Sequence, residues 1–158
     1  MGLIKNNMEN NKAVSSISTF EMQTAIAINI KAPADKIMRL LTDAKNFTKW
    51  NSTVISVEGE IKQGKTIKLI SKLDPKRTFN LKVVEQTATT LVWKDGLAPM
   101  FSGVRTFTLS PKQDGSTDFS MVEVFKGIML PMIKSSLPDF KTNFEQYAAD
   151  LKKVAENN

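Results

Sequence analysis

The chain has 158 residues, of which 41% are hydrophobic and 24% charged, and its formal net charge is +6. These values are typical of one globular domain with a substantial core. The absence of both histidine and cysteine excludes Ser-His-Asp and Cys-His catalysis, disulfides, and metal sites built on those residues. We therefore favour a binding protein over an enzyme. We also expect no cofactor, because the sequence has no glycine-rich phosphate-binding loop.

The N-terminal segment, residues 1–18, is polar and rich in asparagine. It has no apolar run of the kind found in signal peptides, and Asn6 breaks the myristoylation pattern. We expect a disordered arm over 1–18, with Met8 as an alternative start, followed by one domain over 19–158. No later stretch has the length and apolarity of a membrane span, so the sequence favours a cytoplasmic protein without an integral membrane segment.

A long strand is the first predicted element. Between Phe20 and Ile30, apolar residues occupy most even positions and polar residues several odd ones, a period typical of a half-buried strand. Pro33 then stands where a helix begins. Apolar residues spaced three and four apart over 37–41 give this helix one buried face. A second short helix, or a helical turn, is expected within residues 43–51.

Six shorter strands follow, separated by turn signals such as Gln63-Gly64, Asp74-Pro75 and Asp114-Gly115. We place them near residues 53–60, 65–72, 78–86, 90–95, 102–110 and 117–126. Their close spacing predicts antiparallel neighbours joined by hairpins. Polar residues on alternate positions, many of them lysines, predict that one face of the sheet is solvated.

The last two strands carry the most informative pattern. A hairpin about Gln113 and Asp114 predicts three facing pairs: Leu109 with Phe119, Phe107 with Met121, and Arg105 with Glu123. Because side chains alternate between the two faces of a strand, all six lie on one face. An ion pair within an apolar surface is either a structural link at the rim of the core or the polar centre of a small-molecule pocket. The sequence leaves both interpretations open.

The hydrophobic period changes in the C-terminal segment. Over residues 133–155 apolar residues recur every three or four positions, which predicts a helix, and Pro138 interrupts the pattern. We expect a short helix, a kink and a long helix from about Pro138 to Glu156. At 1.5 Å per residue the long helix spans roughly 28 Å. It can then cross the dry face of the sheet, with Phe140 and Phe144 pointing towards it.

Positive charge is concentrated in one part of the chain. Residues Lys62, Lys65, Lys68, Lys72, Lys76 and Arg77 are offset locally by Asp74 alone. No aromatic residue is interleaved with them to stack on nucleic-acid bases, so we expect no nucleic-acid partner. The favoured interpretation is the solvated outer face and the turns of a hairpin. Contact with nucleic acid or an anionic membrane is the alternative.

This order of elements resembles the helix-grip fold of the SRPBCC (START-like) superfamily, in its polyketide cyclase/dehydrase-like branch. The similar motifs are 30–37 (Ile-Lys-Ala-Pro-Ala-Asp-Lys-Ile), 41–43 (Leu-Thr-Asp), 50–51 (Trp-Asn), 91–94 (Leu-Val-Trp-Lys), 103–109 (Gly-Val-Arg-Thr-Phe-Thr-Leu), 123–127 (Glu-Val-Phe-Lys-Gly) and 144–151 (Phe-Glu-Gln-Tyr-Ala-Ala-Asp-Leu). The likeness covers about Phe20 to Glu156. It implies an α+β fold with a curved seven-stranded antiparallel sheet, two short helices, and a long C-terminal helix over an internal cavity.

The resemblance implies binding or transport of a small hydrophobic or amphipathic ligand, such as a lipid, an isoprenoid or an aromatic metabolite. One alternative is a polyketide cyclase/aromatase-like enzyme, with Glu123 as the acid–base group, Arg105 as its electrostatic partner and Tyr147 as a donor. Another is a chaperone-activator-type interaction module that uses the basic hairpin. The residues predicted to line the ligand site are Arg105, Glu123, Phe107, Met121, Trp93, Phe79, Leu81, Trp50, Phe101, Phe140 and Phe144. Residues 97–101 are a candidate lid, and the oligomeric state is not defined by the sequence.

Overall fold

A computed structural model describes residues 11–157. The strands are β1 Val14–Ile17, β2 Glu21–Ile30, β3 Val54–Glu58, β4 Thr66–Ser71, β5 Phe79–Gln86, β6 Thr90–Leu97, β7 Phe101–Pro111 and β8 Thr117–Lys126. The helices are α1 Ala34–Thr42, α2 Phe47–Trp50, α3 Leu130–Ile133 and α4 Lys141–Glu156, with a 3₁₀ turn at Lys134–Ser136 between the last two. All strands join one antiparallel sheet in the order β1-β2-β8-β7-β6-β5-β4-β3. The expected α+β, helix-grip architecture is confirmed.

The sheet has eight strands, one more than the sequence predicts. The additional strand, β1, lies inside the segment expected to be a disordered arm, and that expectation is wrong for Val14–Ile17. Strand β1 pairs with β2, Val14 lying opposite Ala25, and a turn closed by Ser18 N–H donating to Glu21 O at 2.7 Å connects them. Because β1 buries no residue fully, it carries no alternating pattern that would reveal it. Residues 1–10 of the predicted arm lie outside the described residues.

The helices form where the sequence predicts them, with one shift. Helix α1 follows Pro33 directly and buries one face. Helix α4 begins at Lys141, three residues later than expected. Leu137 is extended, with ψ 139°, and Asp139 Oδ1 accepts a hydrogen bond from Lys141 N–H at 3.0 Å. Residues 137–140 therefore form a connection that is not helical.

Among the described residues, no helix has the length and apolarity needed to cross a membrane.

Two bulges interrupt the regular pairing of the sheet. The pairing register shifts at Ile55 in β3 and at Val84 in β5. A bulge bends its strand and increases the local twist, which helps the sheet to curve. Both bulge residues are exposed despite being apolar, Ile55 by 45% and Val84 by 38%.

Helix α4 packs on the sheet and closes the core. Its buried residues are Phe144, Tyr147, Ala148, Leu151 and Ala155. At its C-terminal end, Glu156 Oε1 accepts hydrogen bonds from Lys31 N–H at 2.8 Å and from Lys152 Nζ at 2.6 Å. Lys152 Nζ also donates to Asn29 O at 2.9 Å. These contacts fix the end of the helix to the end of β2.

We expect Glu156→Gln to reduce the free energy of unfolding near neutral pH. Burial alone would raise the pKa of the Glu156 carboxyl, but the hydrogen bonds from Lys152 and Lys31 outweigh it and lower that pKa below its usual 4.5. A carboxyl with a lowered folded-state pKa stabilises the fold above its unfolded-state pKa, and this contribution disappears as the pH falls. Urea unfolding of both proteins should therefore show a difference that is largest near neutrality and shrinks below about pH 4. A difference independent of pH would contradict the assignment.

A candidate ligand-binding cavity

A cavity of about 350 Å³ lies between the inner face of the sheet and the segment leading into α4. This volume falls within the usual range for small-molecule sites. Its apolar lining is Val54, Leu69, Leu73, Phe79, Leu81, Trp93, Phe101, Phe125, Ile133, Leu137, Pro138 and Phe140, together with Gly103. Its polar lining is Thr53, Ser71, Asp74, Arg77, Asp95, Arg105, Glu123, Ser136 and Asn143. Most of the wall is thus hydrocarbon, with charged groups at a few positions.

Seven of the eleven predicted site residues line this cavity. They are Arg105, Glu123, Trp93, Phe79, Leu81, Phe101 and Phe140. The other four, Phe107, Met121, Phe144 and Trp50, do not.

Those four residues lie in the core beside the cavity and not on its wall. Phe107, Met121 and Phe144 are fully buried in the core. Phe107 faces inward as expected, but its ring centroid lies 4.9 Å from that of Trp93 and 5.9 Å from that of Tyr147. The protein's own side chains therefore fill the space over this part of the sheet. Trp50 packs on Phe47 instead, with 5.0 Å between ring centroids.

The predicted ion pair faces the cavity. Arg105 lies opposite Glu123 in the β7–β8 register, and Arg105 Nε donates a hydrogen bond to Glu123 Oε2. The two side chains are 18% and 14% exposed. The Arg105 Cζ atom lies 5.0 Å from the ring centroid of Phe144 and 5.9 Å from that of Tyr147. The guanidinium is thus held by one carboxylate and two aromatic rings, and no described residue accepts a hydrogen bond from its two Nη groups.

A second ion pair lines the cavity and was missed at the sequence level. Arg77 Nη2 lies 3.7 Å from Asp95 Oδ2, and its guanidinium covers the Phe79 ring at 4.5 Å. The Arg77 side chain is 55% exposed, so this pair stands nearer to solvent than the Arg105–Glu123 pair. Arg77 lies in the connection between β4 and β5 and is exposed, as expected for the turns of the basic hairpin.

Strand alternation gives a signal for only one member of this pair. Asp95 lies on β6 two residues from inward-facing Trp93, whereas Arg77 precedes β5 and follows no strand alternation. The five lysines of the basic run are exposed, as expected.

Beneath the cavity, four buried donor groups have no hydrogen-bond partner among the described residues: Trp50 Nε1, Asn51 Nδ2, Trp93 Nε1 and Tyr147 Oη. Asn51 Oδ1 accepts hydrogen bonds from Thr53 N–H at 3.0 Å and Thr53 Oγ1 at 2.7 Å. These bonds orient the amide and leave its NH₂ group unpaired. The three aromatic members surround Phe47, with ring centroids 5.0 to 6.3 Å away. This part of the core therefore contains several polar groups without completed hydrogen bonds.

Tyr147 lies in this cluster and not on the cavity wall. Burial raises the pKa of its hydroxyl above the usual 10, although the Arg105 charge opposes the shift. The Asn51 side chain lies beside the hydroxyl, but neither group completes a hydrogen bond of good geometry. A proton-donor role for Tyr147 towards a molecule in the cavity has no geometric support.

Comparison with known proteins gives a family match over most of the chain. Residues 20–156 match the family described as polyketide cyclase / dehydrase and lipid transport. No curated protein matches the sequence.

The fold is also similar to several solved structures. A conserved protein of unknown function from Enterococcus faecalis has 16% identity and a TM-score of 0.66, over 99% of this chain and 85% of the other. A START superfamily protein from Mycobacterium smegmatis has 14% identity and a TM-score of 0.62, over 85% and 97%. A truncated norcoclaurine synthase from Thalictrum flavum has 11% identity and a TM-score of 0.67, over 92% and 99%. At such identities the similarity concerns the fold.

We expect Tyr147→Phe to leave the fold as stable as before, or more stable by up to about 1 kcal/mol, because it removes an unpaired buried hydroxyl. Urea unfolding monitored by circular dichroism measures the change. Tyr147→Leu is the control, and it should destabilise the protein because the aromatic packing is lost. A loss of more than about 1 kcal/mol in Tyr147→Phe would show that the hydroxyl has an acceptor.

Proposed function

The chain belongs to the polyketide cyclase / dehydrase and lipid transport family, and on this premise we propose that it binds or transports one small amphipathic molecule in the cavity. The observation that carries the proposal is the largely buried Arg105–Glu123 pair within an apolar wall. Small-molecule sites typically combine a mostly hydrocarbon surface with a few converging polar groups.

The cavity wall favours a ligand with an apolar body. Phe79, Phe101 and Phe140 contribute aromatic rings, and Leu81 and Trp93 add further apolar surface. Burying apolar ligand surface there contributes roughly 25 cal/mol per Å². Aromatic walls also favour flat or elongated ligands, which can make stacked or edge-on contacts. An aromatic metabolite, an isoprenoid or a single-chain lipid meets these requirements.

The ion pair favours an oxygen-containing group on that ligand. The two Nη groups of Arg105 form a planar donor fork that suits a carboxylate or a carbonyl. Glu123, already bonded through Oε2, keeps Oε1 to accept a hydrogen bond from a ligand hydroxyl. The ligand group that meets the pair therefore carries an acceptor, with or without a neighbouring donor.

The two alternatives receive less support from the geometry. For a cyclase or aromatase, Arg105 and Glu123 are in place, but Tyr147 does not line the cavity. For an interaction module, Lys65, Lys68 and Lys72 are exposed, which is equally the behaviour of any solvated sheet face.

We expect decanoic acid to quench or shift the fluorescence of the chain's two tryptophans, one of which lines the cavity. The variant that tests the location is Gly103→Val. A Cβ atom on Gly103 would lie 3.0 Å from a ring carbon of Phe125, so the larger side chain must displace the ring that shapes the wall. We expect the affinity to fall by at least about tenfold.

Thr106→Val on the same strand is the matched control, since Thr106 points to the opposite face, and it should bind as the wild type does. Native mass spectrometry of the freshly purified protein provides a second measurement. A protein that carries no small molecule and binds neither decanoic acid nor decanol would contradict the proposal.

We expect Arg105→Met and Glu123→Gln to change ligand selectivity more than stability. Arg105→Met should reduce the preference for decanoic acid over decanol by about tenfold, since one charge-assisted hydrogen bond contributes roughly 1.5–3 kcal/mol. Titration calorimetry with both ligands measures the preference, and urea unfolding measures stability. If both variants instead lose about 3–5 kcal/mol of stability and keep the same selectivity, the pair is a structural link.

A further inference from the structure

One end of the protein exposes apolar side chains from three separate segments, residues 17–20, 97–101 and 127–133, which we call the apolar tip. The exposed fractions are large: 77% for Leu97, 77% for Met132, 58% for Ile128 and 56% for Phe20. Single exposed apolar residues are common on protein surfaces, whereas a contiguous group of them marks an interaction site.

Backbone hydrogen bonds show that the three segments are neighbours. Met129 N–H donates to Met100 O and Ile128 N–H donates to Pro99 O, both at 3.1 Å. Gly127 N–H donates to Phe20 O at 3.2 Å. Gly127, with φ 148°, permits this close approach, because a Cβ there would collide with the Met100 carbonyl. The exposed side chains thus stand on one connected backbone framework.

The tip contains no charged residue, and positive charge lies at its border. None of the three segments includes Asp, Glu, Lys or Arg. Lys126 and Lys134 flank the longest segment. Lys126 is paired with Glu21 at 3.3 Å, whereas Lys134 forms no ion pair with any described residue. An apolar surface bordered by lysines suits the interface of a membrane, where apolar side chains enter the acyl region and lysines reach the headgroups.

The tip also adjoins the cavity. Phe101 and Ile133 belong to the tip and line the cavity, and Leu137 and Pro138 continue that wall. A molecule leaving the cavity past these residues meets apolar surface before it meets water.

We propose that the apolar tip docks on the surface of an anionic lipid bilayer. The net charge of the protein favours an anionic bilayer over a second copy of the chain as the partner of the tip. Two molecules with a formal charge of +6 each repel one another, whereas anionic headgroups attract the same charge. The docking does not depend on what the cavity binds, so each of the two proposals can be tested and rejected without the other.

Vesicle flotation with the full chain tests the proposal, using phosphatidylcholine alone and phosphatidylcholine mixed with phosphatidylglycerol. We expect the wild type to float with the mixed vesicles and to bind the neutral ones more weakly. Leu97→Ser combined with Met132→Ser should weaken binding to mixed vesicles by about tenfold or more, because two exposed side chains no longer enter the bilayer. Met132→Ser alone changes neither the cavity wall nor the candidate lid over residues 97–101, so this single variant should bind decanoic acid as the wild type does.

The matched control is Ile55→Ser combined with Val84→Ser. These residues are also exposed and apolar, but they lie on β3 and β5, outside the tip. Their replacement should leave vesicle binding as it is in the wild type. Lys134→Gln should reduce the preference for anionic vesicles without changing binding to neutral ones.

A labelling experiment gives an independent measure of orientation. The chain has no cysteine, so Met132→Cys and Val84→Cys each provide one thiol for an environment-sensitive fluorophore. The emission should increase and shift to the blue with mixed vesicles for the label at 132 alone. The proposal is overturned if the wild type binds neither kind of vesicle, if both double variants bind equally, or if both labels respond alike. A wild type that forms a dimer which Leu97→Ser/Met132→Ser dissociates, without binding vesicles, would assign the tip to self-association instead.

Discussion

The pairing register of β7 with β8 determines the character of the candidate site. With Arg105 opposite Glu123, both ends of one ion pair point to the inner face of the sheet. A shift of one residue would put Arg105 and Glu123 on opposite faces of the sheet, because the side chains of a strand alternate with a period of two. The register is in turn held by the apolar pairs Phe107–Met121 and Leu109–Phe119, which are fully or almost fully buried. Packing in the core thus fixes the position of the Arg105–Glu123 pair on the cavity wall.

The cavity exists because the chain does not continue directly from β8 into the long helix. Residues between α3 and α4 cross this side of the sheet as a short 3₁₀ turn and an extended connection. Ile133, Leu137 and Phe140 of this region contribute to the wall. Farther along, Phe144 and Tyr147 of α4 are almost fully buried against the sheet. The same helical segment therefore packs solidly at one end of the molecule and leaves room at the other.

The sequence predicts the fold and part of the cavity lining, and the physical reason differs from residue to residue. The alternation in β5 to β8 predicts which side chains face inward, and it places Arg105, Glu123, Trp93 and Phe79 on the face that lines the cavity. Alternation shows which face of the sheet a side chain is on, but not how deeply it is buried. The pattern therefore predicts that Phe107 lines the cavity, whereas in the structure aromatic neighbours cover it.

Other features were not predicted because they leave little or no pattern in the local sequence. The contact of Arg77 with Asp95 depends on the conformation of the turn before β5, which no alternation pattern predicts. Strand β1 has no buried face, so its sequence resembles that of a polar arm. The unpaired donors of Asn51 and Trp50 depend on tertiary contacts between α2, its C-terminal end and α4, which no local pattern encodes.

The two ends of the sheet have a consequence for the behaviour of the protein at high concentration. An open sheet presents unpaired backbone groups at its first and last strands, and these can recruit strands from other molecules. Here the first strand has four residues and the last has five, and the last is distorted by the bulge at Ile55. A foreign strand would find few consecutive backbone groups in regular spacing on either side. The short and irregular edge strands therefore discourage edge-to-edge aggregation, although the sheet is open and not a closed barrel.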